Sequence, residues 1–257
     1  MKKNIISRFI ATALVFSTLV IGNTTAAQAK TLNPNTGKSN TTVSNLNGNN
    51  GQALNTSWGL GSKQTEYVSN NKSYDWYIDQ GHTGQDSNNN CGPTSTVMAL
   101  KWLKPNFIGT VEAARNTYPE NDGWWYTNDV TNFLDLNNVK TYAVKQNVTE
   151  NLLKSELKKG NIAILCVKMS YIPYNKNSEQ RVGRFYSYDG GHFIVVKGYR
   201  VVDGKTYFEV YDPNNWDEQY NDGQEKGKDR YYLSANLVKA ASVWWNYSIV
   251  IQPSSNY

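Results

Sequence analysis

A single cysteine, Cys91, stands where a polar, turn-prone segment meets the start of an apolar helix pattern. Residues 87–90 are one serine and three asparagines, and Pro93 suits a first helical turn, where its missing amide costs nothing. The free amides and the positive end of the dipole at a helix start stabilise a thiolate over a thiol. Since the thiolate is the nucleophilic form of cysteine, this position predicts covalent chemistry at Cys91.

Three other side chains could complete such a site. His192 begins an apolar strand pattern, and Asp212 ends the next one. An imidazole can hold the thiol as a thiolate–imidazolium pair, and a carboxylate on its other nitrogen fixes its orientation. Gln85, six residues before Cys91, could donate its amide to the oxyanion of a tetrahedral intermediate. The set Cys91, His192, Asp212 and Gln85 therefore predicts acyl-transfer chemistry.

Alternatives exist for each of these residues. Gln80 could be the oxyanion donor, although its spacing to Cys91 is longer, and His82 is the other histidine, in a segment typical of a solvated loop. Asp212 could merely end a strand, because Asp-Pro is common in turns. Cys166 lies in a continuous apolar run typical of a buried strand, and a disulfide to Cys91 is the competing interpretation for an exported chain.

The elements that must position these residues form helices first and strands afterwards. Apolar periodicity and capping residues predict helices over 94–103, 111–117, 129–136 and 150–159, the last capped by Thr149 and ended by Gly160. Strand patterns cover 162–168, 192–202, 205–211 and 242–251. Helices beside an antiparallel sheet are an α+β fold.

A two-residue turn at Asp203-Gly204 predicts a hairpin between the strands that carry His192 and Asp212. In its simplest register, Val202 faces Lys205, and His192 would then face residue 215. Asp212 would lie three residues from that position. A shift or bend in the ladder would be needed to bring the two side chains together.

The chain has a targeting segment, a linker and one domain. Residues 1–29 combine a basic start with a short apolar stretch and an Ala-Gln-Ala cleavage site, which is typical of a signal peptide. Residues 30–65 are rich in Asn, Thr, Ser and Gly, which predicts a linker. Residues 66–257 then form the globular domain. We expect the protein to be secreted, either free outside the cell or associated with its wall.

Composition weighs against several other classes of function. The net charge falls from +5 to +2 when Lys2, Lys3 and Arg8 leave with the signal peptide, and the remaining charges are scattered, so nucleic acid is not an expected partner. No second stretch suits stable membrane insertion. No cofactor or metal is expected, although the acidic loop 217–229 could hold calcium weakly. We expect a monomer.

Several local motifs resemble the double-glycine (bacteriocin-leader) peptidase-like family of the papain clan. They are Gln85-x5-Cys91-Gly-Pro-Thr-Ser, Gly191-His192-Phe-Ile-Val-Val-x-Gly198-Tyr, and Tyr211-Asp212-Pro. The resemblance covers about residues 74–251. It implies a papain-like cysteine peptidase fold, with a helical part packed on an antiparallel sheet. It also implies Cys91 as nucleophile, His192 as base, Asp212 as orienting acid and Gln85 as oxyanion donor.

The resemblance implies thiol-dependent cleavage of peptide bonds but leaves the substrate open. Leader-processing members of the family are fused to transporter membrane segments, whereas this chain resembles a free-standing, exported branch. Substrates could be peptides, proteins or cell-wall peptides. Two alternatives are a thiol-dependent peptidoglycan amidase or endopeptidase and a secreted, non-catalytic peptide-binding module with the same fold.

Overall fold

One antiparallel sheet flanked by helices makes up the computed structural model, which describes residues 42–45, 52–119 and 123–253. All of these belong to one unit, Asn35–Tyr257. The strands are β1 Thr42–Asn45, β2 Gln52–Ala53, β3 Lys63–Ser69, β4 Tyr142–Gln146, β5 Ile162–Lys168, β6 Gly191–Val202, β7 Lys205–Tyr211, β8 Arg230–Leu233 and β9 Tyr247–Ile251. The helices are α1 Cys91–Leu103, α2 Val111–Thr117, α3 Thr127–Leu136, α4 Glu150–Lys158 and α5 Ser234–Ser242.

Strand β5 lies in the middle of the sheet and is buried on both faces. The strand order is β1-β3-β6-β5-β9-β4, with β2 beside β3 and with β7 between β6 and β8. Because side chains alternate along a strand, Ile162, Ile164 and Cys166 face the core formed with α1, α2 and α3. Ala163 and Leu165 face the second core, which includes residues of α4 and α5. This burial explains the unbroken apolar run in the sequence.

The observed elements confirm the α+β fold class and most of the predicted segments. Strands β5 and β7 and helix α2 have the predicted bounds. The Thr149 side chain accepts a hydrogen bond from the Leu152 amide at the start of α4. Gly160 adopts a φ of 89° just beyond the end of that helix, a conformation that glycine tolerates best.

The strand predicted over 242–251 is wrong in its first half. Helix α5 occupies Ser234–Ser242, and β9 begins only at Tyr247. Leu237, Ala240 and Ala241 recur at helical spacing and are buried, so residues 234–242 cover the core as a helix. The tryptophans that follow belong to the turn before β9.

The β6–β7 hairpin has the predicted turn and also the shift that the site requires. Asp203 and Gly204 have φ of 48° and 74°, and Val202 faces Lys205. The register shifts by one residue between Val196 and Gly198, so Val195 pairs with Tyr211. Continued beyond these pairs, that register brings Asp212 one residue closer to the position opposite His192.

Residues before 66 contribute to the sheet. Residues 52–65, which the composition places in a linker, contain β2, a 3-10 turn at Thr56–Trp58 and the start of β3. Strand β1 pairs with β3, and Leu60 is buried against Val202 and its neighbours. Backbone pairing and a small apolar cluster around Leu60 thus order a segment of polar composition. The signal peptide predicted at 1–29 lies outside the described residues.

No helix among residues 42–45, 52–119 and 123–253 is long and apolar enough to span a membrane.

Candidate active site

Helix α1 begins at Cys91 itself, which places the sulfur at the positive end of the helix. The amide of the first helical residue has no partner within the helix, so it is free to bind another group. Pro93 lies in the first turn, as the sequence predicts. The Cys91 side chain is almost fully buried and also lines the cleft that contains His192.

His192 lies between Cys91 and Asp212. Its Nε2 atom is 2.7 Å from Oδ1 of Asp212, and both side chains are almost completely buried. Because Asp212 engages Nε2, Nδ1 is the ring nitrogen that remains for the sulfur of Cys91, whose electrostatics are coupled to His192. The fold thus brings together three of the four residues that the sequence singled out, from α1, β6 and the end of β7.

Electrostatics within this group favour a thiolate–imidazolium pair. Burial disfavours the charged imidazole, but the Asp212 charge and hydrogen bond, together with Cys91, raise the pKa of His192 to about 10. Burial likewise disfavours the Cys91 thiolate, but the hydrogen bond and charge of His192 and the amides of Phe193 and Gly92 lower the pKa of Cys91. The thiolate–imidazolium pair therefore forms at a pH below the usual pKa of cysteine. It persists up to about pH 10, where His192 loses its proton.

Two tyrosines that the sequence analysis missed hold the other oxygen of Asp212. The hydroxyls of Tyr186 and Tyr232 both donate to Oδ2, the former at 2.8 Å, while the Asn214 amide donates to Oδ1 at 3.0 Å. Burial and the Asp212 charge raise the pKa of both phenols well above the usual value, so they remain protonated donors. The ring of Tyr186 also contacts His192 edge-on. The many aromatic residues near His192 were the available signal, but their partners depend on tertiary packing.

The placement predicted for Gln85 needs correction. Its side chain is exposed, and it does not line the cleft around Cys91. Gln80, the alternative donor, is buried and lines that cleft with Cys91 and His192. Two 3-10 turns, Gln80–His82 and Ser87–Asn89, fold the connection so that the more distant glutamine reaches the site.

The amide of Gln80 is held in a fixed orientation. Its Nε2 atom donates to the Ser87 carbonyl at 3.0 Å. A side-chain amide has two N–H groups, so one remains for a ligand in the cleft. This second N–H and the Cys91 backbone amide are the kind of donors that stabilise an oxyanion.

Cys91 lies at the junction of two cavities of different chemistry. The polar cavity, of about 510 Å³, includes Gln80, Asn214 and His192. The apolar cavity, of about 340 Å³, is walled mainly by aromatic rings and also contains Cys166. Its lining residues are Cys91, Trp124, Trp125, Tyr126, Cys166, Tyr188, Gly190, Gly191, Phe193, Trp244 and Trp245.

The two cysteines are both free thiols in the structure. Cys166 lies on β5 opposite Phe193, and burial together with the Cys91 charge raises its pKa well above the usual value. The alternative of a Cys91–Cys166 disulfide is therefore not what the structure contains. The two thiols differ in environment: Cys91 has an imidazole partner, whereas Cys166 lies in an apolar wall.

One group of side chains among the described residues has the spacing of metal ligands. Ligand atoms of Asp79, His82 and Asp217 lie within 4.8 Å of one another. Asp79 already accepts hydrogen bonds from backbone amides, and His82 Nε2 is 2.7 Å from Oδ1 of Asp217. Hydrogen bonds within the protein thus account for this cluster, which includes the first residue of the acidic loop considered for calcium.

Residues 76–238 match the profile of the Peptidase_C39 like family. The match covers more than half of the chain and includes Cys91, His192 and Asp212. The family match supports a cysteine peptidase in general. The chain belongs to the Peptidase_C39 like family.

Three solved structures are similar to this chain at low identity. A Bacillus anthracis protein assigned to the C39-like peptidases is 14% identical, with 70% of this chain and 95% of that chain covered and a TM-score of 0.48. A mite allergen structure, from a comparison of Blo t 1 and Der p 1, is 13% identical, with 79% and 74% covered and a TM-score of 0.44. Procathepsin L2 from Tenebrio molitor larval midgut is 15% identical, with 79% and 74% covered and a TM-score of 0.41. No curated protein matches the chain.

The contrast between the two thiols predicts selective alkylation. Iodoacetamide should modify Cys91 in the native protein at neutral pH and spare Cys166 until the protein unfolds, because only Cys91 has a lowered pKa. Below the usual thiol pKa, the labelling rate of an ordinary cysteine rises about 10-fold per pH unit, whereas the rate at Cys91 should level off at a lower pH, because its pKa is lowered. Mass spectrometry of the labelled peptides measures both. Equal labelling of the two cysteines, or a steep rise with pH at Cys91, would contradict the ion pair.

Proposed function

We propose that this protein is an exported cysteine peptidase in which Cys91, His192 and Asp212 form the catalytic triad and Gln80 completes the oxyanion hole. The observation that carries the proposal is the buried chain of contacts from the Cys91 sulfur through His192 to Asp212, at the start of a helix and beside an open cleft. A structural cysteine does not need an imidazole with a raised pKa. The role first expected of Gln85 passes to Gln80.

In the proposed acylation step, the Cys91 thiolate attacks the carbonyl carbon of a peptide bond. The carbonyl oxygen becomes an oxyanion, which accepts hydrogen bonds from the Gln80 Nε2 and the Cys91 amide. The C–N bond then breaks, and the His192 imidazolium gives its proton to the departing amine. The product amine leaves, and the acyl group remains bound to sulfur as a thioester.

Water completes the reaction. Neutral His192 takes a proton from a water molecule, whose oxygen attacks the thioester carbonyl, and the C–S bond breaks to release the carboxylic acid. The thiolate and the imidazolium are thereby restored. Throughout the cycle, Asp212 keeps the imidazole in place, and the two tyrosine hydroxyls keep Asp212 in place.

The apolar cavity supports peptides with bulky apolar side chains as substrates, rather than cell-wall peptides. Apart from Cys91 itself, none of the described residues that line it carries a charge, and aromatic rings supply most of its walls. A buried apolar side chain is stabilised by about 25 cal/mol per Å² of apolar surface removed from water. Wall stem peptides are rich in alanine and charged residues, which gain little from such a cavity. The second candidate, a peptidoglycan amidase or endopeptidase, is therefore less well supported.

Export is part of the proposal and is supported by the signal-peptide pattern at residues 1–29. A thiolate nucleophile in an oxidising compartment must avoid stable disulfide formation. Cys166 lies in the apolar wall and its pKa is raised, so its thiol stays protonated. A protonated thiol is a poor partner for thiol–disulfide exchange, which supports resistance to a disulfide with Cys91. We expect the enzyme to act as a monomer on peptide or protein substrates.

Activity assays on matched histidine variants test the proposed function. The chain from residue 30 should release peptides from casein and leave purified peptidoglycan unchanged. His192→Ala should lose at least about 1000-fold in kcat, as expected for a triad residue. His82→Ala should remain close to wild type, because its side chain is exposed and its partner, Asp217, is exposed as well.

Three results would contradict parts of the proposal. Release of wall peptides without casein cleavage would favour the amidase. Cleavage of neither substrate by the wild type, with Cys91 still reactive, would favour a binding module. Equal activity of the His192 and His82 variants would remove His192 from the mechanism.

The two glutamines give a separate prediction. Gln80→Ala should lower kcat on the order of 100-fold, corresponding to about 3 kcal/mol of lost oxyanion stabilisation, with KM little changed. Gln85→Ala is the matched control and should behave like wild type, because that side chain is exposed. Steady-state kinetics on one apolar peptide measure both. The reverse pattern would restore the placement first predicted from the spacing.

A further inference from the structure

Asp79 is a buried carboxylate. Among the described residues, the groups that donate hydrogen bonds to it belong to neither Cys91 nor His192. Asp79 directly precedes Gln80 and caps the short 3-10 turn that begins there, accepting the Gly81 amide at 2.8 Å on Oδ1. Burial of a carboxylate is unfavourable unless its oxygens are well satisfied. The groups that donate hydrogen bonds to Asp79 therefore show which segments of the chain its carboxylate holds together.

Most of those donors belong to the loop that follows Asp212. The Trp216 amide donates to Oδ1 of Asp79 at 3.0 Å, and the Asp217 amide donates to Oδ2 at 2.9 Å. Trp216 and Asp217 have φ of 52° and 60°, a left-handed conformation that is unfavourable for residues other than glycine. Two consecutive amides in this conformation converge on one anion, as in other backbone anion sites. The carboxylate thus stabilises an otherwise strained turn.

The same two segments are joined beside Asp79. The Gln80 backbone amide donates to the Pro213 carbonyl at 2.8 Å. Trp216 packs against the Gly81 backbone, so closely that a Cβ on Gly81 would lie 3.0 Å from the indole ring. Gln80, Asn214 and Trp216 all line the polar cavity beside Cys91. One wall of the cleft is therefore a single unit built around Asp79.

We propose that Asp79 is a positioning residue. It sets the place of the Gln80 side-chain amide relative to Cys91 by fixing the turn at Gln80 to the loop after Asp212. The inference rests on the proposed oxyanion role of Gln80 and adds a residue to which no role was assigned. Asp212 has its own anchors in Tyr186, Tyr232 and the Asn214 amide. Loss of Asp79 should therefore displace Gln80 while the Cys91–His192 pair remains.

A double-mutant cycle between Asp79 and Gln80 tests this proposal. Asp79→Ala should lower kcat on the order of 10-fold to 100-fold, since misplacement of a catalytic group by about 1 Å can cost that much, while KM changes little. In a Gln80→Ala background, the same change should cost at most about 3-fold more, because the group that it positions is already absent. The alkylation rate of Cys91 by iodoacetamide should stay within about 2-fold of wild type in all variants.

Two further variants make the result independent of folding. Asp79→Asn keeps one oxygen acceptor and should give an intermediate loss in kcat with wild-type alkylation; it replaces Asp79→Ala in the cycle if the alanine variant does not fold. Asp75→Asn is the matched control in the same segment. Its side chain is mostly exposed and pairs with Lys228 at 2.9 Å, so kcat should be unchanged.

Distinct results overturn distinct statements. Additive losses in the double mutant, or alkylation that slows in parallel with kcat, would show that Asp79 supports the fold in general rather than Gln80. Wild-type kcat in Asp79→Ala would remove the positioning role directly. Wild-type kcat in Gln80→Ala would instead overturn the oxyanion assignment, and with it the role of Asp79.

Discussion

The ion pair between Cys91 and His192 depends first on the charge of Asp212, which shares its buried site. Burial alone would keep a thiol and an imidazole neutral, and it is the largest single influence on each of them. The fixed negative charge 2.7 Å from Nε2 reverses that preference and raises the pKa of His192 to about 10. The cationic ring then lowers the pKa of Cys91. Because its pKa is higher in the folded protein, protonated His192 stabilises the fold. This contribution to the free energy of unfolding is complete below the unfolded pKa of about 6.5 and is lost as the pH rises through about 10.

Much of the surrounding structure can be understood as support for that one carboxylate. The register shift in the β6–β7 hairpin moves Asp212 towards His192, and two protonated tyrosines satisfy its second oxygen. The loop beyond it returns to Asp79 and thus to the wall of the cleft that contains Gln80. Cys91, His192 and Gln80 come from separate stretches of the chain. The Gln80 backbone amide joins one of these stretches to the loop after Asp212 through the Pro213 carbonyl.

Local signals in the sequence were sufficient for the parts of the site that lie on regular elements. Cys91 at a helix start, His192 at a strand start and the Asp203-Gly204 turn each follow from residue type and spacing. Gln80, the glutamine that lines the cleft, was ranked below Gln85 because spacing cannot reveal that two 3-10 turns shorten the path. No helix was predicted over α5, although Leu237, Ala240 and Ala241 recur at helical spacing. Strands β1 and β2 were missed because backbone pairing with β3, and not an apolar pattern, places them on the sheet.

The charge state of His192 is the most direct test of this account. The chain has two histidines, so an NMR titration of the imidazole signals, assigned with a His82→Gln variant, resolves each ring. We predict that His192 remains an imidazolium from neutral pH up to about pH 10, and that Cys91 loses its proton at a pH below the usual thiol value. A His192 titration near the ordinary value of about 6.5, with a neutral ring and a neutral thiol at physiological pH, would contradict it.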